Sequence, residues 1–103
     1  MMERTLPIQI PQDKLTEFCQ RHHIRKLSLF GSVLRDDFTA KSDVDFLVEF
    51  EPETRVTFLD LAGMEIELSD LIQRKADLRT PKELSRHFRQ DVLDKAMVQY
   101  AKN

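Results

Sequence analysis

Residues 29–50 read LFGSVLRDDFTAKSDVDFLVEF. A short apolar run ends at Gly31 and Ser32, a polar stretch follows, and Asp43 and Asp45 then open a second apolar run. The chain has only 2 glycines, and one of them stands directly after a strand-like segment. Two interpretations are open: an ordinary strand, turn and strand with a charged edge, or a site that binds phosphate and metal.

A strand is predicted on each side of the polar stretch. Residues 25–30 (RKLSLF) form the first strand, which ends at Gly31. The second has the two-residue period of a strand, with apolar side chains at Val44, Phe46, Val48 and Phe50. Because alternate residues of a strand share a face, Asp43 and Asp45 are predicted to point together, away from the core.

Apolar residues at helical spacing flank these strands. A first helix is predicted from Pro11 to about His23 and a longer one from Thr57 to Ile72, after a turn at residues 51–55. The longer helix carries an apolar stripe of Leu61, Met64, Leu68 and Leu71, widened by Phe58, Leu59, Ile66 and Ile72. Gly63 lies in its middle and costs about 1 kcal/mol relative to alanine, so close packing is predicted there.

The last third of the chain predicts one more strand and one more helix. Residues 76–79 (ADLR) form the strand, with Asp77 and Arg79 turned away from the core. Thr80, Pro81 and Glu83 suit the first positions of a helix, which apolar residues continue to about Tyr100. With a short helix at residues 31–37, the pattern predicts an α+β fold, a small mixed sheet with helices packed on it.

Length and charge restrict the classes of function. A chain of 103 residues is long enough for a single domain, predicted to span residues 1–103. The 18 acidic and 16 basic residues give a net charge of −2, so no overall basic field attracts nucleic acid. A stable nucleic-acid partner is therefore not expected, although a nucleotide ligand is compatible with this charge.

Cysteine content and hydropathy indicate the compartment. Cys19 is the single cysteine, so neither an internal disulfide nor a cysteine-based zinc site can form. It stands among the apolar positions of the first helix, which predicts a buried structural thiol. The first residues form no apolar leader and no run approaches a membrane span, so a cytoplasmic protein without membrane contact is expected.

Gly31 and Ser32 are candidates for phosphate binding. A glycine after a strand lets backbone approach a ligand without a Cβ in the way, and a helix that starts there presents free N–H groups to an anion. The Ser32 hydroxyl adds a donor at the same place. A plain strand-to-helix turn is the alternative, and the Gly-Ser pair alone favours it.

Asp43 and Asp45 are candidates for metal binding. Two neighbouring carboxylates raise each other's pKa unless a cation lies between them, and Mg²⁺ prefers such oxygen ligands together with phosphate oxygens. If the ADLR strand lies beside the second strand, Asp77 joins them, and three carboxylates could hold two Mg²⁺ ions. A solvated strand face without a role is the alternative interpretation.

These residues resemble a known family. Gly31 and Ser32, then ten residues, then Asp43-Val44-Asp45 match the GSX10DXD signature of the polymerase-β-like nucleotidyltransferase superfamily. The run LFGSVLRDDFTAKSDVDFLVEF, followed by TFLDLAGMEIEL and KADLRTPKEL, is similar to its smallest branch, the minimal nucleotidyltransferase (MNT) antitoxins. The resemblance extends from Leu27 to Tyr100.

The resemblance implies a partner and a reaction. MNT antitoxins pair with a HEPN-domain RNase toxin, and some transfer AMP from ATP to a tyrosine of that toxin. By resemblance, Gly31 and Ser32 would hold the β- and γ-phosphates, Asp43 and Asp45 would bind Mg²⁺, and Asp77 would bind metal and activate the attacking hydroxyl. A hetero-oligomeric complex with the toxin is therefore expected, with ATP as substrate and two Mg²⁺ ions as cofactor.

Three further positions of the motif have a less defined role. Arg35 matches a common basic position of the family, either as a phosphate contact or in an ion pair with Asp37 or Asp45. Ser42 is expected to orient the loop before Asp43. Asp36 stands where many relatives carry glycine, and it is left out of the predicted site.

Two alternative functions remain open from the sequence. The fold could neutralise its toxin by occlusion alone, without catalysis, or it could transfer a nucleotide to a small molecule or an RNA 3′ end. The lack of a separate acceptor-binding domain and of a basic surface disfavours the second alternative. Part of the apolar surface of the two later helices could also be a docking face for a partner protein.

Overall fold

The computed structural model of the protein describes residues 8–35 and 38–102. Along the chain the elements are α1 (Gln12–Arg21), β1 (Ile24–Phe30), β2 (Val44–Phe50), α2 (Phe58–Ile72), β3 (Ala76–Arg79), α3 (Arg86–Lys95) and β4 (Met97–Ala101). Two short 3₁₀ turns, Gly31–Leu34 and Pro81–Glu83, follow β1 and β3. Asp36 and Asp37 lie outside the described residues, as does the end of the short helix predicted at residues 31–37.

The four strands form one mixed sheet in the order β3-β2-β1-β4. Strand β1 runs antiparallel to both β2 and β4, whereas β2 and β3 are parallel. A parallel pair needs a crossover connection, and here α2 supplies it. The sheet with its packed helices confirms the predicted α+β class.

One face of the sheet carries the core, and α1 and α2 cover it. Leu29 of β1, Phe46 of β2 and Leu78 of β3 lie side by side across three strands. All three are buried, as are the inward residues of the two helices, Leu15, Phe18, Cys19, Met64, Leu68 and Ile72. The opposite face of the same strands carries the polar residues that the sequence singled out.

The long helix begins as predicted, but its apolar surface is not all core. Thr57 caps α2 in a capping box with Asp60, whose carboxylate accepts from the Thr57 N–H at 2.9 Å. Met64, Leu68 and Ile72 are buried, whereas the exposed fractions are 87% for Phe58, 84% for Leu59 and 67% for Ile66. The predicted widening of the core stripe by these three residues is therefore wrong.

Gly63 is likewise not placed by packing within the chain. A Cβ built on it would meet no atom within 4 Å, so the close packing predicted from its helical position is absent. It lies on the exposed side of α2 beside Leu59 and Ile66. Gly63 therefore destabilises α2 relative to alanine, because glycine has the lower helix propensity and no packing contact offsets it.

The helix predicted from Thr80 to Tyr100 is wrong in extent. Glu83 does reach back to Thr80, and its carboxylate accepts from the Thr80 N–H at 3.2 Å, but this capping pair closes only a 3₁₀ turn. The α-helix begins at Arg86 after Ser85, and the chain turns extended at Ala96.

Residues Met97–Ala101 form β4 instead of the end of that helix. They pair with the free edge of β1, where Leu27 lies opposite Tyr100 and Leu29 opposite Met97. The ladder hydrogen bonds of an otherwise open edge stabilise the strand, and Met97 and Tyr100 pack on the core. Helical spacing over so short a segment does not exclude this outcome, because tertiary pairing overrides local propensity.

Within the described residues, no helix combines the length and the apolar character that crossing a membrane requires.

Candidate active site

Asp45 and Asp77 are neighbours in the sheet. Asp45 of β2 pairs in register with Asp77 of the parallel strand β3, and on its other side it pairs with Phe30 of β1. This row lies next to the buried row of Leu29, Phe46 and Leu78, and it faces away from the core. Asp43 stands one residue before β2, and all three carboxylates are half-buried. The predicted neighbourhood of β2 and β3 is therefore confirmed, and it places Asp77 beside Asp45.

The electrostatics of Asp45 reflect this crowding. Burial raises the pKa of Asp45 above its ordinary value of 3.8, and the negative charges of Asp77 and Asp43 raise it further. The nearby cations Arg79 and Arg35 act in the opposite direction and lower the pKa without cancelling the rise. The repulsion between these carboxylates would be relieved by a cation bound between them.

Gly31 is required by the position of Asp45. Its φ is +78°, a backbone conformation that favours glycine, and a Cβ built on it would lie 2.4 Å from Oδ2 of Asp45. Any other residue would therefore push the Asp45 carboxylate out of place. The sequence indicated a close approach at Gly31, and the structure identifies the Asp45 carboxylate as the group that comes close.

Ser32 and Arg35 lie in and after the 3₁₀ turn that follows β1. The Ser32 hydroxyl donates to the carbonyl of Asp43 at 3.5 Å, which ties the turn to the start of β2. The backbone N–H of Arg35 donates to the Ser32 carbonyl at 2.9 Å. The Arg35 charge is close enough to lower the pKa of Asp45, whereas its predicted alternative partner Asp37 lies outside the described residues.

Two basic residues near the site were not singled out from the sequence. Lys75 places its Nζ 3.7 Å from Oδ2 of Asp43, and Arg74 donates to two carbonyls of the loop before Asp43. Ser42 orients that loop as predicted, since its Oγ accepts from the Thr39 N–H at 3.0 Å. The only signal in the sequence was a basic pair directly before the ADLR strand, and such pairs are common on surfaces.

The donor set fits a divalent cation in its chemistry. Half-buried oxygen donors from Asp43, Asp45 and Asp77 on one face are the ligands that Mg²⁺ prefers, and Gly31 leaves room for the Asp45 carboxylate. In residues 8–35 and 38–102, no three His, Cys, Asp or Glu side chains are already grouped as a metal-ligand set.

A cavity opens beside Gly31. It has a volume of about 520 Å³, and Gly31, Leu34, Val92 and Lys95 are among the residues that line it. The 3₁₀ turn after β1 forms one wall and α3 forms the other, and Gly31 connects the cavity to the Asp45 carboxylate. Its size is in the range of small-molecule sites.

His22 and Cys19 have structural roles in α1 and next to it. His22 bonds through Nε2 to Glu67 at 2.9 Å and packs its ring against Phe18, which ties α1 to α2. Burial raises the pKa of the Cys19 thiol to about 12, so the thiolate needed for nucleophilic attack does not form at neutral pH.

Comparison with known proteins identifies the family. The nucleotidyltransferase domain model matches residues 12–99. A Methanocaldococcus jannaschii protein named "Putative protein adenylyltransferase MJ0126" is 35% identical over 65 residues, which are 62% of this chain and 63% of that protein. The chain thus spans less than two thirds of this relative's length.

Two solved structures share the fold. One, described as a "putative minimal nucleotidyltransferase", has a TM-score of 0.68 and 31% identity, with 84% of this chain and 86% of that chain covered. The other is a tri-AMPylated Shewanella oneidensis HEPN toxin in complex with an MNT antitoxin, with a TM-score of 0.63, 15% identity and coverage of 88% and 70%.

The family match covers the elements that bring Gly31, Asp45 and Asp77 together. The resemblance to nucleotidyltransferases that the GSX10DXD motif indicates is thereby confirmed at the level of the family. The chain belongs to the nucleotidyltransferase domain family, in its minimal form.

Proposed function

We propose that this protein is an antitoxin that transfers AMP from ATP to a tyrosine of a cognate HEPN RNase toxin, and so neutralises the toxin. The observation that carries the proposal is the pairing of Asp45 with Asp77, next to Gly31 and Asp43, on a nucleotidyltransferase sheet. Support for the acceptor comes from the AMPylated toxin that the MNT antitoxin of similar fold accompanies, and from the name of the M. jannaschii relative.

The residues of the site would bind the metal and the triphosphate. Asp43, Asp45 and Asp77 would hold Mg²⁺, which supplies charge neutralisation for the triphosphate and for the departing pyrophosphate. The backbone of Gly31 and the hydroxyl of Ser32 would bind the β- and γ-phosphates, with Arg35 beside them. The cavity next to Gly31 gives the rest of the nucleotide a place within reach of the same turn.

The chemical step is an in-line displacement at the α-phosphorus. The tyrosine oxygen forms a bond to the α-phosphorus, while the bond from that phosphorus to the oxygen shared with the β-phosphate breaks, and pyrophosphate leaves. Asp77, in the third-acid position, would accept the tyrosine proton. Positioning and charge neutralisation carry this kind of catalysis, so loss of one acidic ligand should be severe.

The decisive experiment supplies the acceptor. The protein is incubated with α-labelled ATP, Mg²⁺ and the cognate HEPN toxin, and mass spectrometry locates the modified residue. We expect label on a tyrosine of the toxin, and we expect Asp43→Ala and Asp45→Ala to abolish it without loss of the fold. Asp70→Ala is the matched control, because Asp70 is an exposed acid on α2 away from the site. Near-normal transfer by either site variant would overturn the assignment.

The same variants separate the proposal from its alternatives. An antitoxin that acts by occlusion alone would still protect cells from the toxin when it carries Asp43→Ala. A nucleotidyltransferase with another acceptor would consume ATP with a small molecule or an RNA 3′ end and leave the toxin unlabelled.

A further inference from the structure

The side chain of Arg74 holds the loop that leads into Asp43. Its Nη2 donates to the carbonyl oxygen of Thr39 at 2.7 Å and to that of Ser42 at 2.9 Å. The guanidinium also lies over the Phe38 ring, with Cζ 4.5 Å from the ring centroid. One side chain from the turn between α2 and β3 therefore binds both ends of residues 39–42.

The contact with Ser42 bears directly on Asp43. The Ser42 carbonyl and the Asp43 N–H belong to one planar peptide group. A hydrogen bond that fixes the carbonyl therefore also fixes the orientation of the Asp43 backbone nitrogen. On the other side, the Val44 N–H donates to the Lys75 carbonyl at 2.9 Å. The turn residues Arg74 and Lys75 thus bind the peptide groups on both sides of Asp43.

The carboxylate of Asp43 also has a partner in this turn, but a weaker one. Lys75 Nζ lies 3.7 Å from Oδ2 of Asp43, and the side chains are 70% exposed for Lys75 and 42% exposed for Asp43. Exposed ion pairs of this kind contribute about 0–1 kcal/mol. The two charge-assisted bonds from Arg74 to backbone carbonyls are therefore the stronger constraint on this loop.

Arg74 is itself held in place by the end of α2. Gln73 ends the helix in the left-handed conformation at φ 59°, and its Nε2 donates to the Asp70 carbonyl at 2.6 Å. The Arg74 N–H donates to the carbonyl of Ser69 at 3.2 Å. The Arg74 side chain therefore extends from a hydrogen-bonded helix end, which is better fixed than the exposed loop that it binds.

The other side-chain hydrogen bonds of Thr39 and Ser42, within the described residues, are internal to the loop. The Thr39 and Ser42 hydroxyl groups bond each other at 3.2 Å, and Lys41 donates its N–H to the Thr39 hydroxyl at 3.2 Å. These bonds shape the turn internally but do not attach it to the sheet. Phe38 packs partly against the core, and Arg74 covers its ring.

We propose that Arg74 is a positioning residue for metal binding: it sets the orientation in which Asp43 presents its carboxylate to a divalent cation. The inference rests on the proposed function only in that Asp43 is taken as a metal ligand. Residues that orient a metal ligand typically change metal affinity by about 10- to 100-fold when they are removed.

The test measures metal binding without any acceptor. Mn²⁺ titration followed by electron paramagnetic resonance gives the dissociation constant, and hydrogen exchange of residues 38–44 in metal-free protein reports the loop. We expect Arg74→Met to weaken Mn²⁺ binding about 10-fold or more and to speed exchange in this segment. Arg74→Lys should be intermediate, because an ammonium keeps a charged donor for the carbonyls but loses the planar guanidinium that lies over the Phe38 ring.

The matched control is Arg21→Met. Arg21 also joins two segments, through an ion pair from α1 to Glu67 of α2, but it does not contact the loop. We expect this variant to leave Mn²⁺ affinity and exchange of residues 38–44 unchanged. Circular dichroism establishes that each variant is folded.

Two outcomes would overturn the inference. Wild-type Mn²⁺ affinity in folded Arg74→Met would show that the loop contact does not position Asp43. Faster loop exchange without weaker Mn²⁺ binding would restrict Arg74 to a structural role. If the wild-type protein binds Mn²⁺ but labels no toxin, the proposed function fails, whereas the comparison of Arg74 variants still decides the inference.

Discussion

Gly31 and Asp45 are in such close contact that a Cβ on Gly31 would lie 2.4 Å from Oδ2 of the Asp45 carboxylate. The two residues lie on opposite sides of the polar stretch, 14 positions apart, and the pairing of β1 with β2 brings them together. The motif glycine therefore leaves the space that the Asp45 carboxylate occupies.

Gly31→Ala should disable the site. Alanine at φ +78° costs roughly 1–2 kcal/mol, and its methyl group would displace the Asp45 carboxylate. Because a misplacement of about 1 Å can cost about 100-fold in rate, we expect AMP transfer to fall by about that factor. Labelling of the toxin measures the loss, and Mn²⁺ binding should weaken in parallel. Transfer at the wild-type rate would show that the Asp45 position is not critical.

Gly63→Ala should raise the stability of the folded protein and leave AMP transfer unchanged. The added Cβ meets no atom within 4 Å, and alanine is favoured over glycine inside a helix by about 1 kcal/mol. In a domain of this size that corresponds to a rise of about 5 °C in melting temperature. Thermal unfolding measures it, and a lower melting temperature would contradict the exposed position of Gly63.

Asp45→Asn should stabilise the metal-free protein at neutral pH while it abolishes transfer. Burial, Asp77 and Asp43 raise the pKa of Asp45 in the folded state, so the folded state holds this proton more tightly than the unfolded chain. Stability is then lost as pH rises from about the ordinary value of 3.8 through the raised pKa, and the penalty persists above it.

The pH dependence gives that prediction its measurement. The gain in melting temperature from Asp45→Asn should be present at pH 7 and should shrink as pH falls below the folded-state pKa. Mg²⁺ should raise the melting temperature of the wild-type protein more than that of the variant. A variant that is less stable than wild type at pH 7 without metal would disprove the repulsion.

Leu68→Ala should destabilise the fold far more than Ile66→Ala, because the two side chains lie on opposite sides of α2. Leu68 is fully buried, and its truncation is expected to cost about 2–5 kcal/mol. Ile66 is 67% exposed, so its truncation should change the free energy of unfolding by less than about 0.5 kcal/mol. Urea denaturation of both variants tests the assignment, and a large loss for Ile66→Ala would place that side chain in the core.

Cys19 should react with thiol reagents only when the protein unfolds. Burial raises the pKa of its thiol to about 12, so the reactive thiolate is scarce in the native state, and the side chain is inaccessible. Labelling with Ellman's reagent should therefore follow the denaturant-induced unfolding transition. Rapid labelling of the native protein would mean that α1 opens locally.

The predictions that succeeded depend on local patterns. Strand β3 was predicted with its observed bounds, because ADLR alternates core and outward residues between two clear helix signals. The two-residue period predicted that Asp45 and Asp77 each point away from the core, and their register pairing agrees with it. The prediction for residues 97–101 (MVQYA) failed, because their apolar spacing is helical but they pair with the edge of β1. This segment alone does not reveal that the edge is available.

Period, spacing and motif are properties of neighbouring residues, and they were enough to predict the α+β class, the outward direction of Asp45 and Asp77, and the family. Tertiary structure alone decided that Asp45 and Asp77 pair in register, that Gly31 contacts the Asp45 carboxylate, and that Arg74 binds the loop before Asp43. These relationships join residues 14 to 35 positions apart, and only the order in which the strands pair brings them into contact.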